Sequence, residues 1–548
     1  MPAPTDGPAW RLVGWLWLLG LSAVVLLTFR DYGIAWDEPL QEEYGRRVVR
    51  YYASLGADTT YKDYFDMYDN HGALFELVVR LVSPALPASL ERYQARHLVT
   101  GLWSVLGVAA TLRLGARLGG ERAGVLSAVA LTLMPTWYGH GFNNPKDLPF
   151  AVPHTFAVLV LAGALHESPL RKRTVVLLGL GCGLTLGMRV AGMILLVYVA
   201  VFLAAATWLA SRGAPAPVLR RAGWRLARDL GGVLLVAWLV MLICWPWSQE
   251  APIRNVIRGL SESSRFAWVD TVRYLGADVP AQSLPWHYLP VWLAMQLPEA
   301  TGAAVLLGVG RAAVAALHRR ARPAPWWLGR ALLATALAVP ILVAIARRPV
   351  IYDGARHFLF LLPLLAVVAA LGADWLLGCA LASHHLAARR AVPAALVVAA
   401  LLEASTLVRL HPYEYVYFNR LVGGLRGAAG RFETDYWGVA FREAIARFSA
   451  RVRADEGPAA RPYRVFSCDP DSAFGAAHDL PVGFLFEPRP EAADFALVHE
   501  RWGCAARFRG RRRLAVVERD GVPLAEVFDL RAAPGATAAD KPPGAALR

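Results

Sequence analysis

The sequence predicts a polytopic α-helical membrane protein, and three observations carry that reading. Of its 548 residues, 56% are hydrophobic and only 18% charged, where a soluble globular chain carries about 25% charge. The apolar residues fall in repeated runs of about 17 to 23, the length that crosses about 30 Å of hydrocarbon as a helix. The short-period alternation of a membrane β-barrel does not occur.

About 11 spans follow from those runs: 10–29, 97–114, 121–137, 148–166, 174–188, 190–210, 230–247, 287–310, 328–346, 356–380 and 391–409. The run at 287–310 is broken by LAMQLPEATG and reads as a re-entrant turn as readily as a span. The first, WRLVGWLWLLGLSAVVLLTF, is too long for a signal-peptide core and is followed by no convincing cleavage site, so it is expected to be retained.

Orientation follows from Arg and Lys, which concentrate in cytoplasmic loops. One alternating set of five loops, running from Arg113 to Arg390, holds 18 basic residues. The opposite short loops hold nine, among them Lys146, Arg189 and Arg356. The first set is therefore expected inside. The net charge of +15 is mostly this topological signal and does not argue for nucleic acid. On the other face lie 30–96, 137–147, 248–286, 346–356 and everything after about 410. Those segments hold nearly all the His, Asn, Asp and Glu of the membrane half.

The chain divides into a membrane domain, 1–410, an extracytoplasmic α+β domain, 411–535, and a disordered tail, 536–548. Within the first, 30–96 is a long outer loop. Its stretch 40–55 places Leu40, Tyr44, Val48, Tyr51 and Leu55 on one helical face, as in an amphipathic helix on a membrane surface. A second interfacial helix is expected after YFDMYDNHGALFEL. Runs such as YRVFSC, FALVHE and RLAVVE predict strands in the C-terminal domain. Cys182, Cys244 and Cys379 lie in apolar runs as packing residues. Cys468 and Cys504 are either a disulfide or two free thiols.

Four polar clusters interrupt the apolar pattern. DYGIAWDEPL puts Asp37 and Glu38 just after the first span, where an acid before Pro39 is an ordinary helix start or else a base poised at the lipid surface. YFDMYDNHGALFEL carries Asp69, His71 and Glu76. In WYGHGFNNPKDLP a turn explains Asn144, Pro145 and a capping Asp147. It does not explain His140, Asn143 and Lys146 together. In IYDGARHFLFLLP, Asp353-Gly354 makes a turn, and Arg356 stands where a helix begins. A cation is misplaced there unless an anion joins it; the plainer alternative is an arginine reaching lipid headgroups. His71, Asp69, Glu76, His140 and His287 could in principle bind a metal, but none has a diagnostic spacing. No metal or other cofactor is expected.

These motifs, with GHGFNNPKDLPF, GMR at 187–189, LPWHYLPVWL, DGARHFLF, HPYEYVYFNRLVGG and DYWG, together resemble the bacterial C-type (GT-C) glycosyltransferases, relatives of the protein O-mannosyltransferases and lipid A aminoarabinose transferases. The resemblance runs from about 30 to 440. It implies an inner-membrane enzyme that moves a sugar, with inversion, from a polyprenyl-phosphate donor to a glycan, lipid or protein acceptor outside. It makes the first-loop acid the base; Asp37 matches better than Glu38, though their adjacency leaves the choice open. It makes Asp147 a second acid near the reacting centre. Arg356, Lys146 and Arg189 would hold the donor phosphate, and Asp69, His71, His140, Asn143, Asn144 and His357 would line the substrate. A transporter or flippase of a lipid-linked sugar is the rival reading, but it would place ionisable groups near the midplane and show repeated halves. A non-catalytic scaffold would leave the clustered acids and bases unexplained.

Overall fold

The computed structural model describes residues 7–64, 71–263, 268–317, 323–457 and 461–531. Asp69 and the tail at 536–548 lie outside them. Among the described residues, nine helices are long and apolar enough to cross a membrane, and the chain is a multi-pass membrane protein. Three of them form the centre. Of their most apolar stretches, 61% in Arg92–Gly119, 78% in Asp147–Ala164 and 67% in Arg356–Leu381 is buried, against 11% in the peripheral Leu386–Leu410. Two of the three start at polar clusters: WYGHGFNNPKDLP leads into Asp147–Ala164 and IYDGARHFLFLLP into Arg356–Leu381. The runs expected at 121–137 and 174–188 form helices Glu121–Thr132 and Lys172–Leu186, of 12 and 15 residues, shorter than the nine.

The run at 287–310 divides. Helix Tyr288–Gln296 stops at Leu297, whose backbone is extended (φ −86°, ψ 129°), and helix Glu299–Leu317 starts after Pro298. Proline lacks the N–H that the helix needs and pushes the preceding residue out of the α region. Only the second piece is a candidate span. The first joins the core of the C-terminal half, where Tyr288 and Trp292 are buried with Tyr413, Phe418 and Phe432.

The first loop folds back onto the helix ends. Helix Asp37–Ala53 buries Tyr44 and Val48 with Leu186, Val190, Met241 and Trp245, so membrane-helix ends, not lipid, cover that face. The stripe expected through Leu55 ends early. Leu55 and Gly56 take positive φ (54° and 93°), a left-handed stop that leaves Leu55 97% exposed. Helix Leu74–Val82 follows, and Glu76 is buried in a two-bond pair with Arg96, each bond 2.7 Å.

Strands β1 (Thr271–Tyr274) and β2 (Ala277–Pro280) form an antiparallel hairpin across Leu275-Gly276, both at positive φ, as a tight two-residue hairpin turn requires. The C-terminal sheet contains β3 (Tyr463–Phe466), β4 (Phe484–Phe486), β5 (Phe495–Val498), β6 (Arg513–Arg519) and β7 (Val522–Asp529), in the order β4-β3-β5-β7-β6. β3 pairs parallel with β4 and β5, and β7 antiparallel with β5 and β6. Three of these are the runs expected as strands, and β4 and β7 complete the sheet. Helix Phe441–Glu456 packs on it through Ile445 and Phe448. The first loop and the C-terminal half meet directly: Tyr32 Oη donates to Glu414 at 3.1 Å and Arg442 Nη1 to the Tyr32 carbonyl at 2.7 Å.

Helix Pro135–Asn143 lies so close to the 414–416 segment that a Cβ on Gly139 would sit 2.3 Å from the Tyr415 nitrogen. Gly139→Ala must shift one backbone or the other, at about 1–3 kcal/mol. It is expected to lower the melting temperature of the detergent-purified protein by several degrees. Gly231→Ala, in open space, should not lower it. Equal melting for Gly139→Ala and the parent would show that the two segments are not packed in this way.

Candidate active site

The central helices end in a buried network of charges on the side that carries the C-terminal domain. Asp37 opens helix Asp37–Ala53 and Asp147 opens helix Asp147–Ala164, positions where the helix dipole favours a carboxylate. Arg356 begins the turn that leads into helix Leu362–Leu381. Asp37, Asp147 and Arg356 are each at most 2% exposed. Arg356 Nη1 bonds both carboxylates, at 3.1 Å to Asp37 Oδ2 and 3.2 Å to Asp147 Oδ2. Lys146 Nζ donates to the other Asp37 oxygen at 2.9 Å, and Arg189 Nη2 lies 2.8 Å from Asp147 Oδ1. Burial pushes the Asp37 carboxyl up, but Lys146 and Arg356 outweigh it and hold Asp37 below the usual carboxylate range.

Glu38 points elsewhere, because successive side chains on a helix project in different directions. Its Oε2 accepts from the Ala35 N–H at 2.9 Å and lies 3.1 Å from His97 Nε2. Of the adjacent acids, Asp37 alone joins the cations.

The 140–147 turn is held by Asn144. Its Oδ1 accepts from the backbone N–H of Lys146 (3.1 Å) and Asp147 (2.8 Å). Asn144, not Asp147, therefore serves the turn, and Asp147 is turned to the arginines. With that oxygen assigned, Asn144 Nδ2 must donate, and it reaches Asp147 Oδ2 at 3.1 Å and His140 Nδ1 at 3.0 Å. His140 Nδ1 is thus an acceptor, and its proton sits on Nε2, 3.2 Å from the Tyr436 hydroxyl. Burial agrees with a neutral ring, pushing His140 down to about 3. Asn143 is fully buried, and among the described residues its amide has no hydrogen bond to the network.

His71 contributes through its backbone. It forms an isolated antiparallel bridge with Arg189, and neighbouring N–H groups of Gly72 and Leu74 bond the carbonyls of Met188 and Gly187, both at 3.2 Å. The first loop thereby sets where Arg189 starts. His357 follows Arg356 and meets the Tyr352 ring edge-on at 4.8 Å. Among the described residues, no three His, Cys, Asp or Glu gather as metal ligands. Glu76 is taken by Arg96, and His287 Nδ1 lies 2.6 Å from the Tyr274 hydroxyl.

Four more residues complete the network, and sequence reasoning gave none of them a role. Asp353, read only as a turn residue, sits 3.0 Å from Arg356 Nη2 through Oδ2. Its other oxygen accepts from Arg501 Nη2 at 2.8 Å. Arg501 lies in the C-terminal domain within HERWG, which carries no motif. Glu433 is 3.7 Å from Arg501 Nε, and burial pushes it up to about 8 against the pull of Arg501. Trp437, inside the DYWG motif, faces Arg356 at 5.5 Å from its ring centre. The signal for it was that motif; for Arg501 there was none. Four cations thus meet three aspartates and Glu433, whose carboxyl burial pushes towards the neutral form. The cations lie in a site walled by Tyr352 and Trp437, and a fork of planar guanidinium and ammonium donors is the chemistry that recognises an anion. The misplaced cation of the sequence reading is also explained: the anions around Arg356 are three carboxylates of the protein itself.

No curated protein matches the chain. Among solved structures it is similar to ArnT from Cupriavidus metallidurans in the apo state, at 15% identity and TM-score 0.47 over 95% of this chain and 98% of that one. The same protein bound to undecaprenyl phosphate gives 14% and 0.47 over 96% and 98%. The apo oligosaccharyltransferase of Archaeoglobus fulgidus gives 13% and 0.45 over 87% of this chain and 65% of that one. Residues 91–222, the stretch that supplies His140, Asn144, Lys146, Asp147 and Arg189, match the family described as dolichyl-phosphate-mannose-protein mannosyltransferase.

Proposed function

We propose that this chain is a C-type glycosyltransferase of the bacterial inner membrane. It moves a sugar from a polyprenyl-phosphate donor to a hydroxyl of a glycan, lipid or protein acceptor, with inversion, on the extracytoplasmic face. One observation carries the reading: Asp37 is held between Lys146 and Arg356, beside Asp147, at the end of the central membrane helices. A carboxylate can take a proton there, and the same cations can hold a phosphate. The matching family's description names a lipid-phosphate sugar donor, which supports the donor class.

In the resting state Asp37 is a poor base, because its cations stabilise the charged form. Donor phosphate would compete for Lys146 and Arg356, and as their pull on Asp37 weakens its basicity rises. Asp37 then takes the acceptor hydroxyl proton while that oxygen bonds to the anomeric carbon. The bond from that carbon to the phosphate oxygen breaks on the opposite face, and its electron pair leaves with the phosphate. Arg356, Lys146 and Arg189 hold the leaving group, which gains negative charge as the bond breaks, so they favour the transition state over the ground state. His71, His140, Asn144, His357 and, from the sequence, Asp69 and Asn143 are assigned to the substrate walls.

Asp37→Asn is expected to abolish transfer while leaving the protein in the membrane; near-normal turnover would remove Asp37 as base and turn attention to Glu38. Arg356→Lys keeps the charge but loses the planar fork. It should slow transfer by roughly 10-fold to 100-fold, and Arg356→Ala by more. Turnover of Arg356→Ala within about threefold of the parent would end the phosphate-holding role. The substrate itself is sought by mass spectrometry of envelope glycans and lipid-linked sugars from a strain lacking the protein.

The assigned face is supported by the disulfide between Cys468 and Cys504, since such bonds persist in oxidising compartments. An alkaline phosphatase fusion at about residue 455 should be active, because that reporter folds only outside the cytoplasm. A silent fusion there, with an active cytoplasmic reporter at the same point, would invert the assignment.

A further inference from the structure

The turn after β5 brings a buried side chain of the C-terminal domain, Arg501, to the charge network. Arg501 follows the end of the central strand β5 by three residues, in a short turn, Arg501–Gly503. Its side chain is 5% exposed. It donates to Asp353 Oδ1 at 2.8 Å and to the Tyr436 carbonyl at 2.6 Å. The turn is clamped. Trp502 takes a left-handed φ of 53°, and Cys504 is joined to Cys468. Asp469, next to Cys468, lies 3.1 Å from His499 Nε2, and His499 Nδ1 is 2.8 Å from the Asp435 carbonyl. The segments on both sides of the disulfide thus hold the chain that presents Arg501.

Asp353 is fully buried and sits between two arginines, each with its own carboxylate oxygen. A buried carboxylate with a single cation claims that cation, because neither charge can be left uncompensated away from water. Arg356 has one positive charge to share among Asp353, Asp37, Asp147 and any incoming anion.

We propose that Arg501 is a positioning residue for Arg356: by neutralising Asp353 it leaves the charge of Arg356 available to phosphate on the side of Asp37 and Asp147. This inference rests on the reading that Arg356 binds the donor phosphate. Arg501 contacts Asp353, Glu433 and the Tyr436 backbone, so it acts through Asp353 and is not itself a ligand of the donor. The C-terminal domain then completes the site instead of only covering it. An ordinary inter-domain tether would use the same contacts, and the two roles differ in what happens when Asp353 loses its charge.

The test uses the full-length purified protein in detergent, with undecaprenyl phosphate as probe and quenching of tryptophan fluorescence as readout, Trp437 being beside Arg356. Arg501→Gln is expected to weaken binding about 10-fold, equal to about 1.4 kcal/mol. The double variant Asp353→Asn/Arg501→Gln should return to within about threefold of the parent, because an asparagine no longer draws on Arg356. Parent-like binding by Arg501→Gln, with binding lost in Arg356→Ala, would overturn the inference and leave the donor reading intact. Weak binding in both Arg501→Gln and the double variant would make Arg501 a tether and also overturn it. Parent-like binding by Arg356→Ala would instead remove the reading on which the inference rests.

Discussion

Everything in this molecule's candidate site depends on one buried arginine and three aspartates. Arg356 is paired with Asp37, Asp147 and Asp353, all within 3.2 Å. An unpaired guanidinium at this depth would be untenable, since removing one partner of a buried pair costs about 3–5 kcal/mol. The pairing therefore constrains the chain at three points. The first loop must fold back to bring Asp37. The 140–147 turn must present Asp147. The turn before Arg356 must hold Asp353 at positive φ (56°), a conformation that aspartate tolerates better than most residues.

The helix geometry lowers the cost of that assembly. Two of the aspartates open helices, where backbone N–H groups carry partial positive charge. Asn144 closes the turn between helices Pro135–Asn143 and Asp147–Ala164 with one side chain that serves two backbone donors, the Asp147 carboxylate and His140. The same geometry separates two acids that the sequence leaves adjacent. Asp37 enters the network while Glu38 is spent on Ala35 and His97. What results is a site whose cations are occupied by internal anions, so that any external anion would have to bind by exchange. In the proposed reaction each carboxylate released by that exchange becomes more basic, which would couple donor binding to the readiness of a base.

The C-terminal domain belongs to that balance. The aromatic core around Tyr288, Trp292, Tyr413 and Phe432 continues into the sheet, so the 411–440 segment is a joint between halves. It passes Tyr436 to His140 and Trp437 to Arg356, while the turn after β5 passes Arg501 to Asp353.

The sequence by itself determined that the chain crosses the membrane many times as helices, because a span is a local property: a continuous apolar run long enough for lipid. It also singled out the adjacent Asp37 and Glu38, with Lys146, Asp147 and Arg356, since charges that interrupt apolar runs stand out without any knowledge of contacts; Arg189 came only with the family resemblance, and the choice between Asp37 and Glu38 stayed open. Strands β3, β5 and β6 were legible for the same reason. What only the tertiary structure decided is which charges meet. Asp353 and Arg501 are 148 residues apart, and neither looks unusual among its neighbours. Hydropathy could not tell the lipid-facing part of 287–310 from the part buried in the C-terminal core, because both interiors are apolar. Nor could it show that the Tyr44–Val48 face meets helix ends and not a membrane. Apolar character is written residue by residue, whereas the pairing of buried charges exists only once distant segments have been brought within hydrogen-bonding distance.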